Sequence, residues 1–102
     1  MQLTDDEFNK ALEIFQEFGP RMRIPIHQRW REVFPEVATD DMRQWEAAFR
    51  ELEDFAYQVA VQVRDHGLDE GTAAQRIAER YPRLTPKRVA TIYNQARYVA
   101  MM

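Results

Sequence analysis

Side chains that could act as nucleophiles are scarce in this sequence. Serine and cysteine are both absent, so the usual hydroxyl and thiol nucleophiles of acyl transfer are missing, as are disulfides and Cys-ligated zinc. Four of the five threonines lie at predicted helix starts (Thr4, Thr39, Thr72 and Thr85), where a hydroxyl accepts a hydrogen bond from the backbone. Thr91 is the exception.

The two histidines and the carboxylates lack the spacing of a metal or catalytic site. His27 and His66 belong to no HxxxH, HExxH or ExxH pattern, which would place ligands on one helical face. We expect His66 to stabilise a helix C-terminus by its charge. We expect His27, which has several arginines as neighbours, to lie on a solvated face. The acidic residues concentrate in two predicted helices and are expected to be exposed.

Glycine marks helix ends in this chain. Gly19, Gly67 and Gly71 each stand at a predicted helix boundary, so the sequence holds no Gly-rich loop that could cradle a phosphate. We therefore predict a protein that is not an enzyme, with no catalytic residue, no metal site and no cofactor.

Basic residues concentrate at the C-terminal end. Residues 71–102 hold six basic residues against the single acid Glu79, a formal charge of +5, whereas residues 1–70 hold eight basic and sixteen acidic residues, a formal charge of −8. Such segregation indicates a surface that meets an oppositely charged partner.

The same segment resembles a helix-turn-helix. A short helix with Thr72 and Gln75 as its capping box is predicted to end before Pro82, and a second helix starts after Thr85, its predicted N-cap. The turn between them has no glycine and is predicted to be about one residue long. In a helix-turn-helix the second helix enters the major groove, where its N-terminal residues contact base edges. The predicted inner faces are Ala74, Ile77, Ala78 and Tyr81, then Val89, Ile92, Tyr93, Ala96 and Val99.

With those faces turned inward, polar side chains suited to nucleic acid point outward. Arginine, lysine, asparagine, glutamine and threonine carry donors and acceptors that match phosphates and base edges. The outward face of the last helix also holds Tyr98. The predicted binding residues are Arg76, Arg83, Lys87, Arg88, Thr91, Asn94 and Gln95.

Two helices are predicted near the N-terminus. A capping box formed by Thr4 and Glu7 starts the first, and Gly19-Pro20 ends it. The second begins with Pro25 and ends before Pro35. Aromatic residues at helical spacing are predicted to form the core: Phe8, Phe15, Phe18, Trp30, Phe34, Trp45, Phe49 and Phe55.

The third predicted helix, about 40–66, is the longest, and Gly67 ends it. Further apolar positions, among them Ala48, Tyr57 and Val61, exceed what one face requires. Such a helix is either buried all round or pairs a second face with another copy. Residues 55–63 also alternate as a strand would, but no turn residues flank them. Its apolar stripe is Met42, Trp45, Phe49, Leu52, Ala56, Val59 and Val63.

These patterns predict an all-α fold. We expect a compact, orthogonal or bundle-like domain of about five helices over residues 1–102, with a long central helix and a helix-turn-helix-like pair at 70–102. One core suffices for a chain of this length.

The expected function is that of a small binding or regulatory protein, with nucleic acid as partner of the C-terminal pair. The alternative is a protein-interaction module, including a homo-oligomer, whose basic face meets an acidic protein surface. No apolar run approaches the roughly 18 residues of a membrane span, and Asp5, Asp6 and Glu7 are unlike a secretion signal. We therefore expect a cytoplasmic protein without a membrane partner.

Overall fold

The computed structural model describes residues 3–17 and 19–101. Over these residues the chain forms five α-helices and no strand, with a short 3₁₀ helix (Pro20–Arg23) after the first. The all-helical fold with a long central helix and packed C-terminal helices is confirmed, and residues 55–63 are helical. The helices are α1 (Asp5–Phe15), α2 (Ile26–Val33), α3 (Thr39–His66), α4 (Glu70–Arg80) and α5 (Pro86–Ala100).

The helices group into two compact units, residues 1–49 and 50–102. The first unit contains α1, α2 and the first part of α3, and the second contains the remainder of α3 with α4 and α5. A single domain stays a prediction. Among the described residues, no helix has the length and apolar character needed to cross a bilayer.

The first unit is built around Trp30, whose side chain is fully buried. Its indole Nε1 donates a hydrogen bond to the carbonyl of Ala11 at 2.9 Å. Its ring lies 5.4 Å from that of Trp45 and 6.0 Å from those of Phe15 and Phe49 between centroids. The predicted aromatic core is thus present in α1, α2 and α3, and Phe18 lies outside the described residues.

The start of α1 follows from its predicted capping box. The Thr4 hydroxyl accepts from the Glu7 amide at 3.2 Å, and the Glu7 carboxylate accepts from the Thr4 amide at 2.9 Å. The helix ends at Phe15, earlier than Gly19 suggested. Pro25 precedes α2 as its N-cap and is not its first residue.

His27 is half-buried and contacts other side chains, which corrects the prediction that it lies on a solvated face. The His27 ring stacks on Trp30 at 5.9 Å, and its Nε2 lies 3.0 Å from a Glu46 carboxylate oxygen. The nearby Arg29 is buried and donates to the carbonyls of Ile14 at 2.8 Å and Ile24 at 3.0 Å. The last carbonyls of a helix have no partner within the helix, and Arg29 supplies one at the end of α1.

The apolar stripe of α3 is confirmed from Met42 to Val59, all of whose predicted members are buried, while Val63 is half-buried. Ala48 and Tyr57 are exposed, so α3 is not buried all round. Gly67 follows with φ of 69°, a left-handed conformation that glycine adopts without steric penalty.

Candidate nucleic-acid interface

The first helix of the C-terminal pair is capped by Asp69, three residues before the predicted cap. An Asp69 carboxylate oxygen accepts from the Thr72 amide at 3.1 Å. The predicted capping box is therefore wrong: Asp69 also has a short acceptor side chain, and Thr72 lies inside α4. The Gln75 side chain donates instead to the Glu79 carboxylate at 3.0 Å.

The buried face of α4 consists of Ala73 and Ile77, both inaccessible to solvent. Residues four positions apart lie one above the other on a helix, so these two form one stripe. Ala74 is half-buried and Ala78 is exposed. The predicted inner face of α4 is therefore wrong at these two positions, and the buried face lies to one side of it.

The turn between α4 and α5 is longer than predicted. Tyr81 caps the end of α4 and Thr85 caps the start of α5, which leaves Pro82, Arg83 and Leu84 between the caps. The Leu84 amide donates to the Tyr81 carbonyl at 3.1 Å, and the Leu84 side chain is buried. Turns of three or four residues are typical of helix-turn-helix pairs, so this length strengthens the resemblance, although the turn has no glycine.

The start of α5 is as predicted. The Thr85 hydroxyl accepts from the Arg88 amide at 3.2 Å, and Pro86 is the first helical residue. The prediction that Val99 faces inward is wrong, because Val99 is 55% exposed. Ala100, four residues after Ala96, continues the buried stripe in its place. That stripe consists of Val89, Ile92, Tyr93, Ala96 and Ala100.

One line of side chains runs along the opposite face of α5. Its spacings of four, three and four residues place it on a single face, over about 17 Å at 1.5 Å per residue. Arg88 and Gln95 flank it and are half-buried. We call this line the α5 outer stripe, and it consists of Lys87, Thr91, Asn94 and Tyr98.

The members of the α5 outer stripe differ in what they can offer a ligand. Lys87, Asn94 and Tyr98 are exposed. The Thr91 hydroxyl donates to the Lys87 carbonyl at 3.0 Å, so its proton is already used and its oxygen can act as an acceptor. Thr91 is therefore a weaker candidate for contact with a phosphate than the sequence suggested.

The predicted basic residues separate into two groups. Arg83, Lys87 and Arg88 lie together in sequence, in the turn and the first turn of α5. Arg76 is exposed on α4 and donates to the side-chain oxygen of Gln62 on α3 at 2.7 Å. This partner is neutral, so the contact does not offset the positive charge of Arg76.

Two further basic residues of α4 and α5, Arg80 and Arg97, are paired with acids. Arg80 lies 3.3 Å from the Glu51 carboxylate, and its guanidinium also lies over the rings of Phe55 and Tyr81, at 5.4 and 5.8 Å from their centroids. Arg97 lies 3.2 Å from the Glu70 carboxylate. These pairs join residues far apart in the sequence, which is why sequence patterns missed them.

Glu70 also meets a partly buried tyrosine. The Tyr93 hydroxyl lies 3.5 Å from the same carboxylate oxygen that Arg97 contacts. Burial raises the pKa of the Tyr93 hydroxyl above its ordinary value, and the negative charge of Glu70 raises it further. Tyr93 is therefore a neutral hydrogen-bond donor at physiological pH.

The two units differ in charge less than the two sequence segments do. Residues 50–102 hold eight basic and seven acidic residues, a formal charge of +1, and residues 1–49 hold six and ten, a formal charge of −4. The acids of residues 50–70 belong to the same unit as α4 and α5 and offset most of their positive charge.

Within the described part of the chain, no group of three histidine, aspartate or glutamate side chains is arranged to hold a metal ion. In comparisons with known proteins, no family model, no curated protein and no solved structure matches this chain.

Proposed function

We propose that this chain is a non-enzymatic nucleic-acid-binding protein that uses the α4–α5 pair, with the N-terminal end of α5 directed at the nucleic acid. The basic first turn of α5 supports this function most directly. The first turns of α1, α3 and α4 carry acids, as the helix dipole favours, and the first turn of α2 carries none. The first turn of α5 has none and holds Lys87 and Arg88 instead.

Basic side chains at a helix N-terminus oppose the dipole by about 0.3–1 kcal/mol each. A local choice that weakens the helix is expected where a site requires it. The backbone amides of the first turn and the positive side chains both attract phosphate. A basic first turn is therefore unfavourable for the free helix and favourable for a helix bound to nucleic acid.

The remaining proposed residues extend from that end. Arg83 precedes α5 in the turn, and Asn94 and Gln95 lie further along the helix, where their amides can meet base edges. Arg76 on α4, whose partner Gln62 is neutral, supplies a further phosphate contact. Thr91 supplies an acceptor only, since its proton bonds the helix backbone.

The low charge of residues 50–102 sets the expected strength of binding. Four phosphate contacts, from Arg76, Arg83, Lys87 and Arg88, give a slope of log K against log salt of about −3.6. We expect weak, salt-sensitive binding to random-sequence duplex DNA.

Fluorescence anisotropy with a labelled random-sequence duplex tests this function. The variant Lys87→Ala/Arg88→Ala should weaken binding by about tenfold or more at low salt and reduce the slope by about 2. The matched control is Lys10→Ala/Arg43→Ala, which removes the same two charges from exposed positions in the first unit. The function is refuted if the wild-type chain does not bind at low salt, or if both double variants lose affinity equally.

Exposed apolar side chains at the end of α5 favour a second candidate, self-association. Tyr98, Val99 and Met101 are 71%, 55% and 62% exposed, and apolar groups that stay in solvent are common at protein contacts. Sedimentation velocity tests this candidate. An apolar contact predicts a dimer that persists as salt rises, whereas a dimer formed by acidic and basic surfaces of two copies should dissociate. A monomer at high concentration in low and high salt removes this candidate.

A further inference from the structure

Two arginines outside the predicted set, Arg80 at the end of α4 and Arg97 on α5, lie against carboxylates. Arg80 and Glu51 are 54% and 68% exposed at their side chains, and Arg97 and Glu70 are 46% and 54% exposed. We infer that Arg80 and Arg97 are further phosphate-binding residues, and that Glu51 and Glu70 compete with nucleic-acid phosphates for them. This inference rests on the proposed function.

The two pairs are suited to exchange. Ion pairs between exposed side chains contribute little to stability, because water and salt screen both charges. Each contact joins one guanidinium nitrogen to one carboxylate oxygen, whereas a phosphate can accept two parallel hydrogen bonds from the guanidinium fork. A phosphate that approaches either arginine can therefore replace the carboxylate.

Both arginines are placed to extend the candidate interface. Arg97 lies three residues after Asn94, and residues three apart on a helix are neighbours, so it borders the α5 outer stripe. Arg80 ends α4, three residues before Arg83. The rings of Phe55 and Tyr81 lie against the Arg80 guanidinium, and this contact keeps it in position when Glu51 is displaced.

The chain offers a matched control in Glu79. Glu79 is exposed and lies on α4, as Glu70 does, but its carboxylate accepts from the neutral amide of Gln75 at 3.0 Å. Glu79→Gln removes the same negative charge without releasing an arginine. It therefore measures the general effect of net charge on binding.

The test compares Glu51→Gln, Glu70→Gln and Glu79→Gln in the full chain, by anisotropy with the same random-sequence duplex over a series of salt concentrations. Glu51→Gln and Glu70→Gln should each bind about two- to fivefold more tightly than Glu79→Gln. Their salt slopes should steepen by about 0.9, one phosphate contact each. Adding Arg80→Ala to the first, or Arg97→Ala to the second, should remove the gain.

The outcomes separate the inference from the proposed function. If the wild-type chain binds but Glu51→Gln and Glu70→Gln behave as Glu79→Gln does, the inference is wrong and the function stands. If none of the four proteins binds at low salt, both are wrong. Glu70 lies in the first turn of α4, so circular dichroism checks that its variant keeps its helices. Glu51 lies inside α3, and its variant decides the question if the Glu70 variant loses helicity.

Discussion

Replacing Arg29 by methionine should strongly destabilise the first unit. The side chain of Arg29 is 8% exposed and lies 3.7 Å from the carboxylate of Glu17. It also donates to the carbonyl of Ile14, in the last turn of α1, and to the carbonyl of Ile24, just before α2. Methionine replaces the apolar stem but has no hydrogen to donate, so both carbonyls lose their charged partner.

The size of the loss follows from these contacts. A hydrogen bond to a charged group contributes about 1.5–3 kcal/mol, and two such bonds are lost. The Ile14 carbonyl keeps the Glu17 amide as a donor at 3.2 Å, and water can reach Glu17, which is 30% exposed, so the loss stays below the sum of the two. We expect Arg29→Met to lower the free energy of unfolding by about 2–4 kcal/mol. For a chain of this size that corresponds to a fall in Tm of roughly 10–25 °C.

Urea unfolding followed by tryptophan fluorescence measures this loss, because both tryptophans, Trp30 and Trp45, lie in the core of the first unit. Arg21→Met is the control. The Arg21 side chain is 47% exposed and pairs with Glu17 at 3.5 Å and with Glu32, so its loss should stay below about 1 kcal/mol. A loss for Arg29→Met that is no larger than for Arg21→Met would refute the role assigned to Arg29.

Two further predictions concern helix ends. Gly67→Ala should destabilise the chain by about 1–2 kcal/mol in urea unfolding, because a Cβ there has open space around it but φ is +69°; Gly67→Asn should lose less, and equal losses would argue against strain as the cause. Hydrogen bonds from the backbone and side chain of Thr4 lower the pKa of Glu7 below its ordinary value of 4.5. The stability that Glu7 adds is therefore present above its unfolded-state pKa and lost as pH falls through its folded-state pKa. When Tm is measured on both sides of pH 4.5, the Tm of wild type should fall more at low pH than the Tm of Glu7→Gln. Parallel curves of Tm against pH would contradict this.

The fold was predictable where the signals are local. The capping residues Thr4 and Thr85 and the terminating Gly67 act on backbone groups a few residues away. The buried stripe of α3 follows from helical periodicity, which needs no knowledge of the partner. Where two local signals compete, as Asp69 and Thr72 do at the start of α4, spacing alone does not choose between them.

The candidate site was predictable in part. The outward positions of α5 follow from its period, and Lys87, Asn94 and Tyr98 are exposed as expected. The inward placement of Val99 was wrong, because which residues of the last turn are covered depends on the neighbouring helices. The hydrogen bond from Thr91 to the backbone also lies beyond what periodicity reveals.

By itself, the sequence determined the all-helical class, the starts of α1 and α5, the end of α3 and its buried stripe, and that positive charge gathers in its last third. Tertiary structure decided which of the positive side chains meet a carboxylate and which meet a neutral partner. Arg80 and Arg97 meet Glu51 and Glu70, while Arg76 meets the neutral Gln62. Ion pairing and burial depend on residues far apart along the chain that folding brings within a few ångströms, and no local pattern records them.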